Sequence, residues 1–328
     1  MGEVSTVDLK LDPKYDHYTF PTTNPATGPG HPGHTTPEHD ALVVKFREEL
    51  EKEGYTERLD TITLLRFLRA RKFDVPLAKK MFTDCETWRK EFKVDEIMKD
   101  FEYVEKPKVF EYYPQYYHKT DKDGRPVYIE QLGKIDLTAM YKITSMDRML
   151  KNLVIEYEKL ANPRLPACSR KSGKLLETCC TIMDLKGVGL TSISSVYGFV
   201  SEVSKISQNY YPERLGKLYI INAPWGFSSV FGVVKKFLDP VTVDKINILG
   251  GGYKSELLKQ IPAENLPVAF GGECACQGGC ELSDDGPWQD KQYLDPPAAT
   301  TATSDAPAPV PAATTTEAAP APAAETTN

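Results

Sequence analysis

Cys180-Thr181-Ile182-Met183-Asp184-Leu185, followed by Lys186-Gly187-Val188-Gly189-Leu190-Thr191-Ser192, is the stretch on which the fold turns. A short apolar run, closed by a glycine-rich turn and succeeded by a helical pattern, is the strand–turn–helix opening of a crossover unit. The alternation recurs along the chain. Val127-Tyr128-Ile129, Leu218–Ala223, Ile246–Leu249 and Pro267–Phe270 also read as strands, with helical stretches at about 145–161, 192–208, 227–238 and 254–260 between them. Such a sequence predicts an α/β fold on a mainly parallel sheet.

Upstream the pattern is wholly helical. Thr36-Pro37-Glu38 supplies an N-cap with Pro at the first helical position, leading into Leu42, Val43, Phe46 and Leu50 at helical spacing. Asp60 can cap a second helix through Leu64, Phe67 and Leu68, and Asp74 a third through Leu77, Met81, Trp88 and Phe92. Both ends of the chain are rich in Pro, and the last residues are almost all Ala, Pro and Thr, without the large apolar groups that offset the entropy of ordering. The expected organisation is a disordered arm over 1–35, a small helical bundle over 36–105, the α/β domain over 106–290 and a disordered tail over 291–328.

The 328 residues carry a formal charge of −6, but the segment 283–328 holds seven acids and one base and accounts for all of it. The acidic total argues against a nucleic-acid partner, which needs a surplus of Lys and Arg. The 7 Cys form no regular framework and Cys179-Cys180 stand side by side, which points to a reducing compartment. No basic-then-apolar signal opens the chain and no apolar run is long enough to cross a bilayer, so a cytoplasmic protein is expected. Gly2 with Thr6 fits a loose myristoylation pattern, of a kind that short matches often produce by chance.

Enzyme motifs are sparse. There is no Gly-x-Ser-x-Gly elbow and no phosphate loop, and a Ser-His-acid triad would rest on His118, the only His after residue 39. The turn at Gly187 and Gly189 lacks the third glycine of a dinucleotide fingerprint. Cys274, Cys276 and Cys280 have metal-like spacing, but only three thiols are present with no His nearby in sequence, so the loop reads as free thiols, with no metal and no cofactor.

Charges on faces that should be apolar are more informative. Arg71 falls on the stripe of Leu64, Phe67 and Leu68, while Arg66 and Arg69 turn to the other side. A guanidinium there either meets an anion or, at the helix end, snorkels outward and caps carbonyls. Glu213 and Lys245 stand beside strands, and Thr181 lies inside one. In 227–238, Phe227, Val230, Phe231, Val234, Phe237 and Leu238 share one helical face, with Ser228, Lys235 and Lys236 opposite. That is either an ordinary packed helix or a lid over an apolar cavity whose lysines meet anionic lipid on opening.

Leu64-Leu65-Arg66-Phe67-Leu68-Arg69-Ala70-Arg71-Lys72-Phe73, Tyr113–Asp121, Met183-Asp184-Leu185-Lys186-Gly187, Gln208–Arg214, Ile221-Asn222-Ala223-Pro224 and Ile261–Pro267 together resemble the CRAL-TRIO lipid-binding family, over residues 38 to 290. Within it the likeness is greatest to the fungal phosphatidylinositol/phosphatidylcholine transfer members. The resemblance implies a helical domain plus a sheet flooring an apolar lipid cavity closed by the 227–238 lid. It implies a non-enzymatic, monomeric cytosolic carrier of phosphatidylinositol or phosphatidylcholine that exchanges them at membranes, peripherally on the Golgi, in support of phosphoinositide supply and secretory traffic. Another hydrophobic cargo such as a sterol is the alternative. Carried over residue by residue, the inositol lipid falls to Arg71, Lys72, Glu213, Thr242 and Lys245, with Glu213 orienting Arg71 or accepting from the inositol hydroxyls. The choline lipid falls to Tyr117, Tyr128, Tyr157, Cys179 and Thr181. Cys179 departs from the family's Ser, and a thiol is the weaker donor.

Overall fold

The helix caps form where the sequence places them. Thr36 Oγ1 accepts from His39 N at 3.2 Å, Asp60 Oδ1 from Thr63 N at 3.0 Å and Asp74 Oδ1 from Leu77 N at 2.9 Å. Each satisfies an amide that the first helical turn leaves without a partner. The computed structural model describes residues 11–188, 192–227, 231–232, 235 and 240–294. The capped helices are α1 (Pro37–Lys52), α2 (Thr61–Ala70) and α3 (Val75–Phe92), followed by α4 (Val94–Asp100). Their core is Phe46, Leu50, Leu64, Leu65, Leu68 and Phe82, with the rings of Phe46 and Phe67 set edge-on to Phe82.

Then α5 (Lys106–Val109) leads into the sheet, whose strands are β1 (Gln115–Thr120), β2 (Pro126–Glu130), β3 (Cys179–Asp184), β4 (Leu215–Ile221) and β5 (Ile246–Ile248). The strand order is β1-β2-β3-β4-β5, with β1–β2 antiparallel and the rest parallel. The connections carry α6 (Leu137–Met140), α7 (Met146–Lys159), α8 (Leu165–Ser172), α9 (Ser192–Tyr210) and α10 (Pro240–Val243), and α11 (Tyr253–Gln260) and α12 (Cys280–Ser283) follow β5. No helix among the described residues is long and apolar enough to cross a membrane.

Alternation along the strands gives the sheet two unlike faces. Tyr116, Val127, Ile129, Cys180, Ile182, Tyr219 and Ile221 pack with Tyr253, Leu257 and Ile261 of the α11 side into the main core. The other face is built of cross-strand rows. Tyr117, Tyr128, Thr181, Leu218 and Ile246 stand in register, as do Glu130, Met183, Ile220 and Ile248. Met183 and Leu218 of the inner strands β3 and β4 are only half-buried, an unusual state for apolar groups inside a sheet, and so are Ile246 and Ile248 of the edge strand β5.

Three expectations change. Pro267–Phe270 is a 3₁₀ turn (Val268–Phe270) with a lone bridge from Pro267 to Cys274, because Pro267 has no N–H to offer a ladder. A polar strand, β1, replaces it as the fifth. The arm expected to be disordered through residue 35 is fixed from residue 11 onward: Asp16 accepts from Thr61 N and Oγ1, both at 2.7 Å, and Asn24 Nδ2 donates to Leu175 O at 2.9 Å. Its polar side chains find buried partners that composition cannot reveal. Residues 1–10 and the tail from 295 lie outside the described residues.

Candidate functional site

The face of the sheet turned away from the main core carries its polar groups at one end, where Tyr117, Cys179 and Thr181 are buried. Tyr117 on β1 and Tyr128 on β2 are cross-strand partners with ring centroids 5.0 Å apart. Thr181 stands next in the row, and Cys179 Sγ lies 3.7 Å from its hydroxyl and 3.4 Å from Arg214 O. Burial pushes the phenols of Tyr117 and Tyr128 well above the ordinary tyrosine range and raises the Cys179 thiol, so all three stay protonated. Tyr157 of α7 is stacked on Tyr211 at 4.6 Å, and burial raises its phenol as well. Tyr117, Tyr128, Thr181 and Cys179 therefore make one patch of aromatic faces with a hydroxyl and a thiol at its centre, and Tyr157 stands with Tyr211 in a separate cluster. Aromatic faces hold a cation and hydroxyls donate to an anion, so the patch suits a zwitterion.

Glu130 shares this face one row along, held by a hydrogen bond from Tyr113 Oη, and burial pushes its carboxyl up. Arg164 lies with its guanidinium 4.3 Å from the Tyr117 ring and 2.8 Å from Glu156, beneath the patch.

The basic residues are arranged differently from the helical-wheel expectation. Arg66 and Arg69 are not on an outer face but have buried side chains, because α2 is covered on both sides, by the bundle core and by the segments leading into β3 and β4. Arg66 Nε donates to Pro212 O at 3.2 Å, Arg69 Nη2 meets Glu177 Oε1 at 2.9 Å, and Arg214 Nη1 donates to Glu177 O at 3.1 Å. Burial and the neighbouring Arg66 push the Arg214 guanidinium below the usual arginine range. The wheel missed this seam; its signal was the Arg-rich run itself, too long to fit one polar face.

Arg71 is half-buried at the C-terminus of α2, its Nη1 on Ala70 O at 2.9 Å, which is the capping alternative. Lys72 follows, exposed, with φ of +51°. Glu213, at φ of +60°, brings its carboxylate 3.7 Å from Arg69 Nε, so in this structure its ion-pair partner is Arg69. Thr242 in α10 and Lys245 just before β5 are half-buried, with Lys245 N donating to Thr242 O at 3.2 Å. Of the lid residues, Phe227 and Phe231 are half-buried, whereas Val230, Val234, Phe237 and Leu238 lie outside the described residues. Trp225, just before this segment, is fully exposed.

One chemical cluster lies on the other side of the sheet. The thiols of Cys274, Cys276 and Cys280, read from sequence as having no histidine near them, are joined by His118 of β1. The separation in sequence, 156 residues to Cys274, hid the group.

Residues 110–272 match the CRAL/TRIO domain and residues 41–84 the CRAL/TRIO N-terminal domain. The chain is 62% identical over 275 residues to the Sec14 cytosolic factor of Schizosaccharomyces pombe, covering 84% of this chain and 96% of that protein. It is 42% identical over 265 residues to an Arabidopsis thaliana protein named a phosphatidylinositol/phosphatidylcholine transfer protein, covering 78% of this chain and 44% of that longer one. Among solved structures, the crystal structure of Sfh5 superposes with a TM-score of 0.50 at 20% identity, over 65% of this chain and 82% of that one, a likeness of fold.

Proposed function

The chain belongs to the CRAL/TRIO family, and from that premise we propose that it is a cytosolic phospholipid carrier that holds one phosphatidylinositol or phosphatidylcholine at a time and exchanges it at membranes, those of the Golgi secretory route among them. The observation that carries the reading is the sheet face away from the main core, where half-buried Met183, Leu218, Ile246 and Ile248 adjoin the Tyr117–Tyr128–Thr181 patch. Acyl chains laid on such a floor gain about 0.8 kcal/mol per CH₂ removed from water, so the chains supply retention and the headgroup contacts need only decide which lipid stays. The choline headgroup fits the aromatic patch, with Thr181 and the Cys179 thiol on its phosphate. The inositol headgroup falls to Arg71, Lys72, Glu213, Thr242 and Lys245, with Glu213 free to leave Arg69 for an inositol hydroxyl. No covalent step is needed and the protein acts as a monomer without catalysis.

Exchange requires a lid and a place to touch the bilayer. The segment 227–238 would be the lid, and exposed Trp225 at its start is an amphipathic ring of the kind that settles at a membrane interface. Mass spectrometry of lipid extracted from the purified chain, together with transfer of labelled phosphatidylinositol and phosphatidylcholine between vesicles, tests the reading. Both lipids recovered and both moved is the expected result. A sterol as sole cargo, or transfer of neither lipid, would overturn it.

A further inference from the structure

The His118–cysteine cluster is used by neither headgroup site and faces the opposite side of the sheet. Neighbours on β1 point oppositely, so Tyr117 meets Tyr128 while His118, fully buried, turns with Tyr116 toward the core behind the sheet. There the chain returns with Cys274, Cys276 and Cys280, whose side chains together with His118 bring one ligand atom each within 4.8 Å of all the others. His118 Nε2 is 3.3 Å from Cys274 Sγ, and Cys274 Sγ is 3.7 Å from Cys276 Sγ.

These spacings have a chemical meaning. A disulfide would hold sulfurs at about 2.05 Å. A tetrahedral metal site with metal–sulfur bonds of about 2.3 Å and a metal–nitrogen bond of about 2.0 Å has sulfur–sulfur edges of about 3.8 Å and nitrogen–sulfur edges of about 3.5 Å. The Nε2–Cys274 Sγ and Cys274 Sγ–Cys276 Sγ separations lie close to those edges, and all four ligand atoms fall within 4.8 Å of one another.

The hydrogen bonds around the imidazole set its tautomer. The Ser283 hydroxyl has one proton, which it gives to Cys280 O at 3.0 Å, so toward His118 Nδ1 at 3.2 Å it can only accept. Nδ1 then carries the hydrogen and the Nε2 lone pair is directed at the thiols, the arrangement by which an outer oxygen orients a ligating histidine. The loop is built to bring the sulfurs back. Gly278 and Gly279 have successive φ values of 81° and 96°, and Gly279 N donates to Cys276 O at 3.0 Å, turning the chain between the second and third cysteine. A cleft of about 500 Å³ lined by Tyr116, Cys274, Cys276 and Cys280 gives an ion a way in.

We propose that His118 Nε2 and the thiolates of Cys274, Cys276 and Cys280 bind one Zn²⁺, in a closed four-ligand structural site that fastens residues 273–284 to β1. Three thiolates with an imidazole select zinc over hard cations, and a full set of protein ligands leaves no position for a reacting water.

The test is made on the full chain, purified without chelator and under reducing conditions. One zinc per chain by elemental analysis is expected, together with the visible bands and sulfur charge-transfer absorption of tetrahedral cobalt when Co²⁺ is exchanged in. Cys276→Ser, which alters the half-buried ligand, should weaken zinc affinity at least tenfold in competition with a chromophoric chelator, while Cys85→Ser, outside the cluster, keeps it. Absence of metal with all seven thiols titratable, a disulfide that removes two of them, or stoichiometric iron or copper in place of zinc would overturn the proposal. Should Cys276→Ser not fold, the metal content and cobalt spectrum of the parent chain still decide.

Discussion

Arg69 Nη2 lies 2.9 Å from Glu177 Oε1, with both side chains more than nine-tenths buried. Arg69 belongs to α2 and Glu177 leads into β3, so this pair ties the helical bundle to the sheet. His31, from the N-terminal segment, closes on the same carboxylate at 2.9 Å. Burial alone would raise the Glu177 carboxyl, but the Arg69 charge and the His31 contact bring it down to about 2.

The sign of the pH effect follows. A folded-state pKa below the unfolded value of 4.5 stabilises the fold above that value, and the contribution is lost as pH falls toward 2. Urea unfolding across this range should show a steeper loss of stability in the parent chain than in Glu177→Gln. At neutral pH that variant, which strands the Arg69 charge, is expected to be less stable by about 3 kcal/mol. Parallel pH profiles would show that the carboxylate is not linked to folding.

Cys179→Ser replaces a weak donor beside Thr181 with a hydroxyl. Phosphatidylcholine transfer between vesicles should rise several-fold, with phosphatidylinositol transfer little changed. A drop in choline-lipid transfer would remove Cys179 from the headgroup site.

Glu213→Ala and Lys245→Ala should do the reverse, reducing phosphatidylinositol transfer at least tenfold and sparing phosphatidylcholine. Both lipids measured in one assay provide the internal control. Equal loss of the two activities would contradict separate headgroup sites.

Trp225→Ala removes a fully exposed ring and touches no core. Thermal stability should stay within about 0.5 kcal/mol of the parent, as for other surface changes, while binding to vesicles in a sedimentation assay falls. Unchanged sedimentation would place the membrane contact elsewhere.

Asn24→Ala deletes the buried 2.9 Å hydrogen bond to Leu175 O. Leaving that carbonyl without its donor is expected to cost about 1–3 kcal/mol by chemical denaturation. A neutral result would mean that this hydrogen bond contributes nothing to holding the N-terminal segment, leaving Asp16 and His31 to do so.

What the sequence disclosed was whatever local spacing determines. The caps at Thr36, Asp60 and Asp74 and the apolar runs of β3 and β4 are written in consecutive residues. So is the block of motifs that identifies the family. Features that depend on distant segments were illegible. β1 reads as polar because Gln115-Tyr116-Tyr117-His118-Lys119-Thr120 finds its partners only after folding. Arg66 and Arg69 looked solvent-facing because a helical wheel knows one partner surface, and α2 has two. His118 looked solitary because its thiols arrive more than a hundred residues later. Arg71 illustrates the middle case, where the sequence left capping and anion binding open and the structure records one Nη1 contact to Ala70 O.

The outer border of β1 gives the C-terminal stretch another duty. The strand is at one end of the sheet order, where unpaired amides invite a foreign strand to add on. Here α12 lies against β1, and Lys119 N donates to Asp285 O at 2.6 Å. Residues 273–294, beyond the reach of the matched CRAL/TRIO domain at 272, thus act as a selvedge on the sheet. A chain cut back to that domain would present a raw margin prone to self-association and would also strip Trp288 from the cluster that packs Tyr117 and Cys179 and Asp284 from Arg164, so the border of the sheet and the aromatic patch lean on the same segment.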